Sequence, residues 1–144
     1  MNKKKYVAYV GTYVHGSSKG LNVYDVDVEN GILTPRNEVE VSNSSYVSVS
    51  RNLKYLYSIE DDGVAVFKRD GNGDLERLNS VDIEGMRGCF LSTDYSGNYP
   101  FVGGITMESE LWLKSFRTDG WERCWMGCSI VDWEAWQREI FDRM

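Results

Sequence analysis

The chain has 144 residues, enough for one domain with its own core, and a hydrophobic share of 42% is ordinary for a globular protein. With 16 Lys and Arg against 22 Asp and Glu the net charge is -6, which leaves no basic footprint for nucleic acid. Three cysteines do not make a disulfide framework, so a reducing compartment, the cytoplasm, is the expected location. The opening MNKKKYVAYVGTYV has a charged start and an apolar stretch. It alternates, carries three tyrosines and lacks a small-residue cleavage site, so it reads as a strand rather than a signal peptide. No segment is long and apolar enough to predict a membrane span.

Six strands are predicted in chain order: Tyr6 to Tyr13, Gly20 to Val28, Val39 to Val49, Tyr55 to Ile59, Gly63 to Lys68 and Leu75 to Ile83. Each is rich in β-branched and aromatic residues. Between them lie turn signals: Gly16-Ser17-Ser18, Asn30-Gly31, Arg51-Asn52, Asp61-Asp62-Gly63 and Asn72-Gly73. No helical period is visible over this stretch. Beyond Gly104 the text changes. All nine tyrosines lie between Tyr6 and Tyr99, whereas all five tryptophans (Trp112, Trp121, Trp125, Trp133 and Trp136) lie after it. A break that sharp suggests a change of reading frame rather than a domain boundary, and it divides the chain into 1–104 and 105–144.

The first part repeats itself. SYVSVSRNLKYLYS (45–58) aligns with CFLSTDYSGNYPFV (89–102) at an offset of about 44, placing Ser48 on Ser92, Tyr55 on Tyr99 and Tyr57 on Phe101. Gly20 with Val23-Tyr24 matches Gly63 with Val66-Phe67 one unit earlier. Four short strands per unit at this period predict an all-β fold, a partial β-propeller of about two and a half four-stranded antiparallel blades. A small antiparallel sandwich is the simpler alternative.

YVGTYVHGSSKGLNVYDVD (9–27), PRNEVEVSNSSYVSVSRNLKYLYSIEDDGVAVF (35–67) and IEGMRGCFLSTDYSGNYPFVGG (83–104) resemble the lactonase family of seven-bladed propellers. The likeness implies hydrolysis of 6-phosphoglucono-lactone to 6-phosphogluconate in the pentose phosphate route, with a small sugar-phosphate lactone as partner and no metal cofactor. The same family also hosts a muconate lactone-forming activity, and a non-catalytic propeller scaffold for protein partners is a reading from another class.

Lactone hydrolysis needs an activated water, a group that stabilises the oxyanion, and contacts for the phosphate. Two residues are candidates. His15, the only histidine, lies in a Gly-rich loop and could serve catalysis or simply be solvated. Arg87, in GMRGC before an inner-strand candidate, could take the phosphate or the oxyanion, or lie idle on the surface. Cys89 is expected to be a buried inner-strand thiol, having no histidine or asparagine partner. The resemblance implies histidine after that cysteine in many relatives, where this chain has Phe90, and if that histidine helps form their site its absence puts the activity of the chain in question. Glu60-Asp61-Asp62 reads as a turn, and Asp70, Asn72 and Asp74 as a hairpin turn that lacks the closing acid of a calcium loop.

In such lactonases FVGG is expected to continue as FVAGYHDGK. Losing one base at codon 103 yields the observed Gly104-Ile105-Thr106-Met107-Glu108. Read in the displaced frame, residues 125–144 permit DGVFHRGLGSVAERNFRPH, in which an Asp-Gly pair, a Leu-Gly pair and an Ala are forced by the code. The rival reading of the tail is a helix near 129–144, capped by Ser129, with Ile130, Trp133, Trp136, Ile140 and Met144 as a rough apolar stripe for a membrane surface or a partner. Open strand edges predict a chain that folds poorly or only as an isolated stack of sheets, without lactonase turnover.

Overall fold

The computed structural model describes residues 5–83, 85, 87–105, 111–116, 118 and 123–124, and these form three antiparallel sheets. The first has β1 (Tyr6–Gly11), β2 (Gly20–Asp27) and β3 (Ile32–Glu40) in that order. The second has β4 (Val47–Val49), β5 (Tyr55–Glu60), β6 (Gly63–Arg69) and β7 (Leu75–Asp82). The third runs from β8 (Arg87–Thr93) through β9 (Pro100–Ile105) and β10 (Leu111–Phe116) to β11 (Arg123–Cys124). Within each sheet consecutive strands pair, giving three successive meanders of the kind that build propeller blades.

The repeat seen in the sequence is a repeat of hydrogen-bond register. Ser48 faces Tyr57 across β4 and β5, and Ser92 faces Phe101 across β8 and β9. The second repeat pair carries its irregularity with it: the β2–β3 ladder shifts between Val23 and Tyr24, and the β6–β7 ladder between Val66 and Phe67. A bulge at the same place twists both sheets in the same sense, so the units stack alike.

Two apolar layers hold the stack. Leu21, Val41, Leu56, Ala65 and Phe67 lie buried between the first and second sheets, with Tyr9, Val39, Val47, Val49 and Leu75 around them. Tyr57, Ile59, Val64, Val66, Ile83, Leu91 and Val102 are buried between the second and third. β5 and β6 are therefore covered on both faces, and their continuous runs of buried residues, instead of an alternating pattern, follow from that. Polar ties add register between units. Asn52 Nδ2 donates to the Ser96 carbonyl at 2.9 Å, and the Tyr9 hydroxyl donates to the Gly73 carbonyl at 2.5 Å while accepting from Arg69 Nε at 2.8 Å.

Three expectations are altered. The single strand predicted from Val39 to Val49 is two strands of different sheets, because Asn43 takes a left-handed conformation (φ 47°) and Ser44 turns inward to bond Ser58. Asparagine tolerates that conformation better than a β-branched residue. Ile32 to Glu40, largely overlooked as a strand, pairs along β2 in spite of Pro35, which sits at the outer edge where no further ladder is required. Finally, the third unit has four strands rather than half a blade: β10 and β11, from beyond Gly104, extend it. The helix expected near 129–144 lies outside the described residues.

Candidate functional site

Antiparallel meanders alternate their turns between the two ends of the stack. One end collects the β1–β2 loop (12–19), the β3–β4 loop (41–46), the β5–β6 turn (61–62) and Ile83 just after β7. Hydrogen bonds sew these loops together. Val14 N donates to Asn43 Oδ1 at 2.9 Å, Asn43 Nδ2 donates to both Asp61 carboxylate oxygens at 2.8 and 3.0 Å, and Ile83 N donates to the Asp62 carbonyl at 3.4 Å. His15 lies at one end of this chain of loops. Arg87, the first residue of β8, lies at the other.

Both predicted residues thus share a face, but no described contact joins them. His15 is exposed. Its loop is shaped by backbone bonds from His15 N to the Tyr13 carbonyl (3.0 Å) and from Ser18 N to the His15 carbonyl (3.4 Å), and its ring has no described partner. Arg87 is also exposed, and among the described residues its guanidinium meets no acceptor. That sets it apart from the other arginines between residues 5 and 105. Arg36 pairs with Asp25 and Asp74, Arg51 lies on the Tyr95 ring, Arg69 donates to Tyr9 and the Leu53 carbonyl, and Arg77 pairs with Glu60. A cleft of about 410 Å3 on the first sheet contains Arg36, whose charge is already met.

The remaining groups sort as their partners dictate. Cys89 is not the buried thiol expected. It is exposed, because it is the extra residue of a bulge between Gly88 and Phe90 and so is turned out of the ladder. Phe90 is 50% exposed, its ring 5.5 Å from that of Tyr46 at an interplanar angle of 60°. Glu60 is engaged by Arg77 at 2.9 Å and by the Ser80 hydroxyl, so with Asp61 held by Asn43 the acidic turn is a structural clasp. Asp70 accepts from the backbone N–H groups of Asn72 and Asp74 at 2.9 and 2.8 Å and closes the predicted hairpin turn. The Asp74 N–H bond leads in drawing its carboxyl below the usual range. Among the described residues no three His, Cys, Asp or Glu side chains gather as metal ligands, and no helix is long and apolar enough to cross a membrane. Sequence reasoning did not single out Tyr46 or Asn43. A tyrosine in a Ser-rich loop carries no signal of its own, and its meeting with Phe90 exists only in three dimensions.

Stacked three- and four-stranded meanders with a recurring bulge, and a face built from their connecting loops, define part of a β-propeller assembled from sequence repeats. The chain belongs to the lactonase family of 7-bladed β-propellers, whose model matches residues 7–104. It is 38% identical over 96 residues to the 6-phosphogluconolactonase of Bacillus subtilis, covering 62% of this chain and 28% of that protein. It is 32% identical over 120 residues to the 6-phosphogluconolactonase of Formosa agariphila, covering 77% of this chain and 33% of that one. A 6-phosphogluconolactonase candidate from Bacteroides uniformis has a similar solved structure (TM-score 0.69, 23% identity, 82% of this chain and 35% of that chain). Another from Bacteroides fragilis superposes with a TM-score of 0.58 at 31% identity, over 74% of this chain and 34% of that chain. The chain spans about a third or less of the length of the curated relatives it matches.

Proposed function

We propose that this chain is part of an enzyme that hydrolyses a sugar-phosphate lactone, 6-phosphoglucono-1,5-lactone, to its 6-phospho acid in the cytoplasm. The observation that carries this is Arg87, a cation with no described protein partner at the start of strand β8, in a chain of the lactonase family. In the reaction, water adds to the lactone carbonyl carbon and the ring C–O bond breaks. The ring oxygen takes a proton and a carboxylic acid is left. His15 would accept the proton of the attacking water and return it to the ring oxygen. Arg87 would hold the phosphate or the developing oxyanion, for which a planar, permanently charged guanidinium is well suited.

The second part of the proposal is that residues 105–144 are read in a displaced frame and that the 144-residue chain has no turnover of its own. The match to the family model ends at Gly104, where the composition changes, which supports this reading, although the likeness to the Formosa agariphila relative covers 77% of the chain and so runs past that point. Sequencing the gene across codons 100–110, followed by assay of both products on 6-phosphogluconolactone, tests both parts. The product with the base restored is expected to be active, and Arg87→Gln and His15→Ala in it are expected to lower kcat/KM by roughly 100-fold each. Turnover by the 144-residue chain would overturn the truncation, and an inactive restored chain would overturn the lactonase assignment.

A further inference from the structure

Innermost strands β4 and β8 lie against each other, and the aromatic pair Tyr46 and Phe90 spans them: Tyr46 is the residue before β4, and Phe90 is within β8. The side chains are 36% and 50% exposed. The Tyr46 main chain is fixed by a 2.9 Å bond from Ile59 N to its carbonyl. Phe90 is held opposite Gly103, which has no side chain to crowd it. Two anchored, half-open rings tilted at 60° leave an apolar surface where a ligand ring can lie.

Arg87 is close by. Because Cys89 is bulged out of the ladder, Arg87 and Phe90 pair with Ile105 and Gly103, two ladder positions apart, or about 7 Å along the strand. A cation without a partner among the described residues and a half-exposed aromatic pair therefore sit within the reach of one small molecule.

We propose that Tyr46 and Phe90 form the apolar half of the ligand site, lying against the C–H face of the sugar-lactone ring while Arg87 takes its phosphate. This rests on the lactone reading above and adds to it what selects the ring. The bulge at Cys89 acquires a purpose, since it sets the spacing between the cation and the aromatic surface. A ligand with phosphate but no ring uses half of the site.

Saturation-transfer NMR and calorimetric titration of the 144-residue chain with glucose 6-phosphate, a stable ring phosphate, and with inorganic phosphate test the assignment. Saturation is expected to pass to the sugar-ring protons, and glucose 6-phosphate is expected to bind about fivefold more tightly than phosphate. Phe90→Ala should abolish that preference and leave phosphate affinity unchanged, Phe90→Tyr should restore it, and Arg87→Gln should weaken both ligands. Circular dichroism of Phe90→Ala should match that of the parent chain, since the ring is half exposed. If Phe90→Ala keeps the preference, the aromatic assignment falls and the Arg87 reading stands. If the parent chain binds neither ligand, both fall.

Discussion

Phe67→Ala should weaken the stack at one identifiable seam. The Phe67 ring is fully buried between the first and second sheets beside Leu21, Val41, Leu56 and Ala65, with the Arg77 guanidinium 5.8 Å from its centre. Truncating a buried phenylalanine forfeits its transfer free energy and leaves a cavity, at a combined cost of about 4 kcal/mol. Whole domains of this size hold only about 5–15 kcal/mol in reserve, so the loss is a large share. With a urea slope of about 2 kcal/mol per molar, the unfolding midpoint should fall by about 2 M. The first sheet meets the second through this layer, so amide exchange in β1, β2 and β3 should accelerate before that in β5 and β6. Phe67→Leu should recover most of the loss, and Phe90→Ala should stay within about 0.5 kcal/mol of the parent. A Phe67→Ala chain within about 1 kcal/mol of the parent would refute the placement of that core.

Burial, opposed by its hydrogen bond with Thr118, pushes the Tyr57 hydroxyl up to about 12 from 10.0. Because the folded state holds the proton more tightly, the stabilisation is complete below about pH 10 and is lost as pH rises from 10 towards 12, by roughly 2 kcal/mol. Melting temperatures of Tyr57→Phe and the parent between pH 9 and 12 should converge across that window, and parallel curves would contradict the burial. Gly20 has φ 102° and an added Cβ would overlap the Val41 carbonyl, so Gly20→Ala should cost more than about 2 kcal/mol. Gly16, at φ 66° in open space, should lose only about 1 kcal/mol on the same change, and equal losses in urea titrations would refute the clash. Burial tends to raise the Asp94 carboxyl, but bonds from the Ser96 hydroxyl and the Ser96, Asn98 and Tyr99 N–H groups outweigh it and lower its pKa. Its stabilisation is present above about pH 4 and lost as pH falls below, so Asp94→Asn should flatten the acid limb of a stability–pH curve, and an unchanged limb would count against those bonds.

Local chemistry made much of the fold legible. Alternating β-branched and aromatic runs between Asn-Gly, Asp-Gly and Gly-rich turns specify short antiparallel strands. The recurrence of Ser48, Tyr55 and Tyr57 as Ser92, Tyr99 and Phe101 specifies that successive units pair alike. What escaped was set by neighbours. Val39 to Val49 has strand composition throughout, yet Asn43 and the inward turn of Ser44 send its two halves to different sheets. β3 is mostly exposed and lacks the apolar signature of a strand, and it is held by its ladder to β2 rather than by a core of its own.

The candidate site divides along the same line. Residue type alone marked His15 and Arg87, because few side chains carry a charge or proton suited to lactone chemistry. The sequence by itself determined the strand-and-turn repeat and the family, since those depend on nearest neighbours along the chain. Only the tertiary structure decided that Cys89 is turned out, that Arg87 alone among the arginines of residues 5–105 lacks a described partner, and that Phe90 meets Tyr46. Each of these depends on a bulge, an ion pair or a contact between strands remote in sequence, and such contacts exist only once the sheets have stacked.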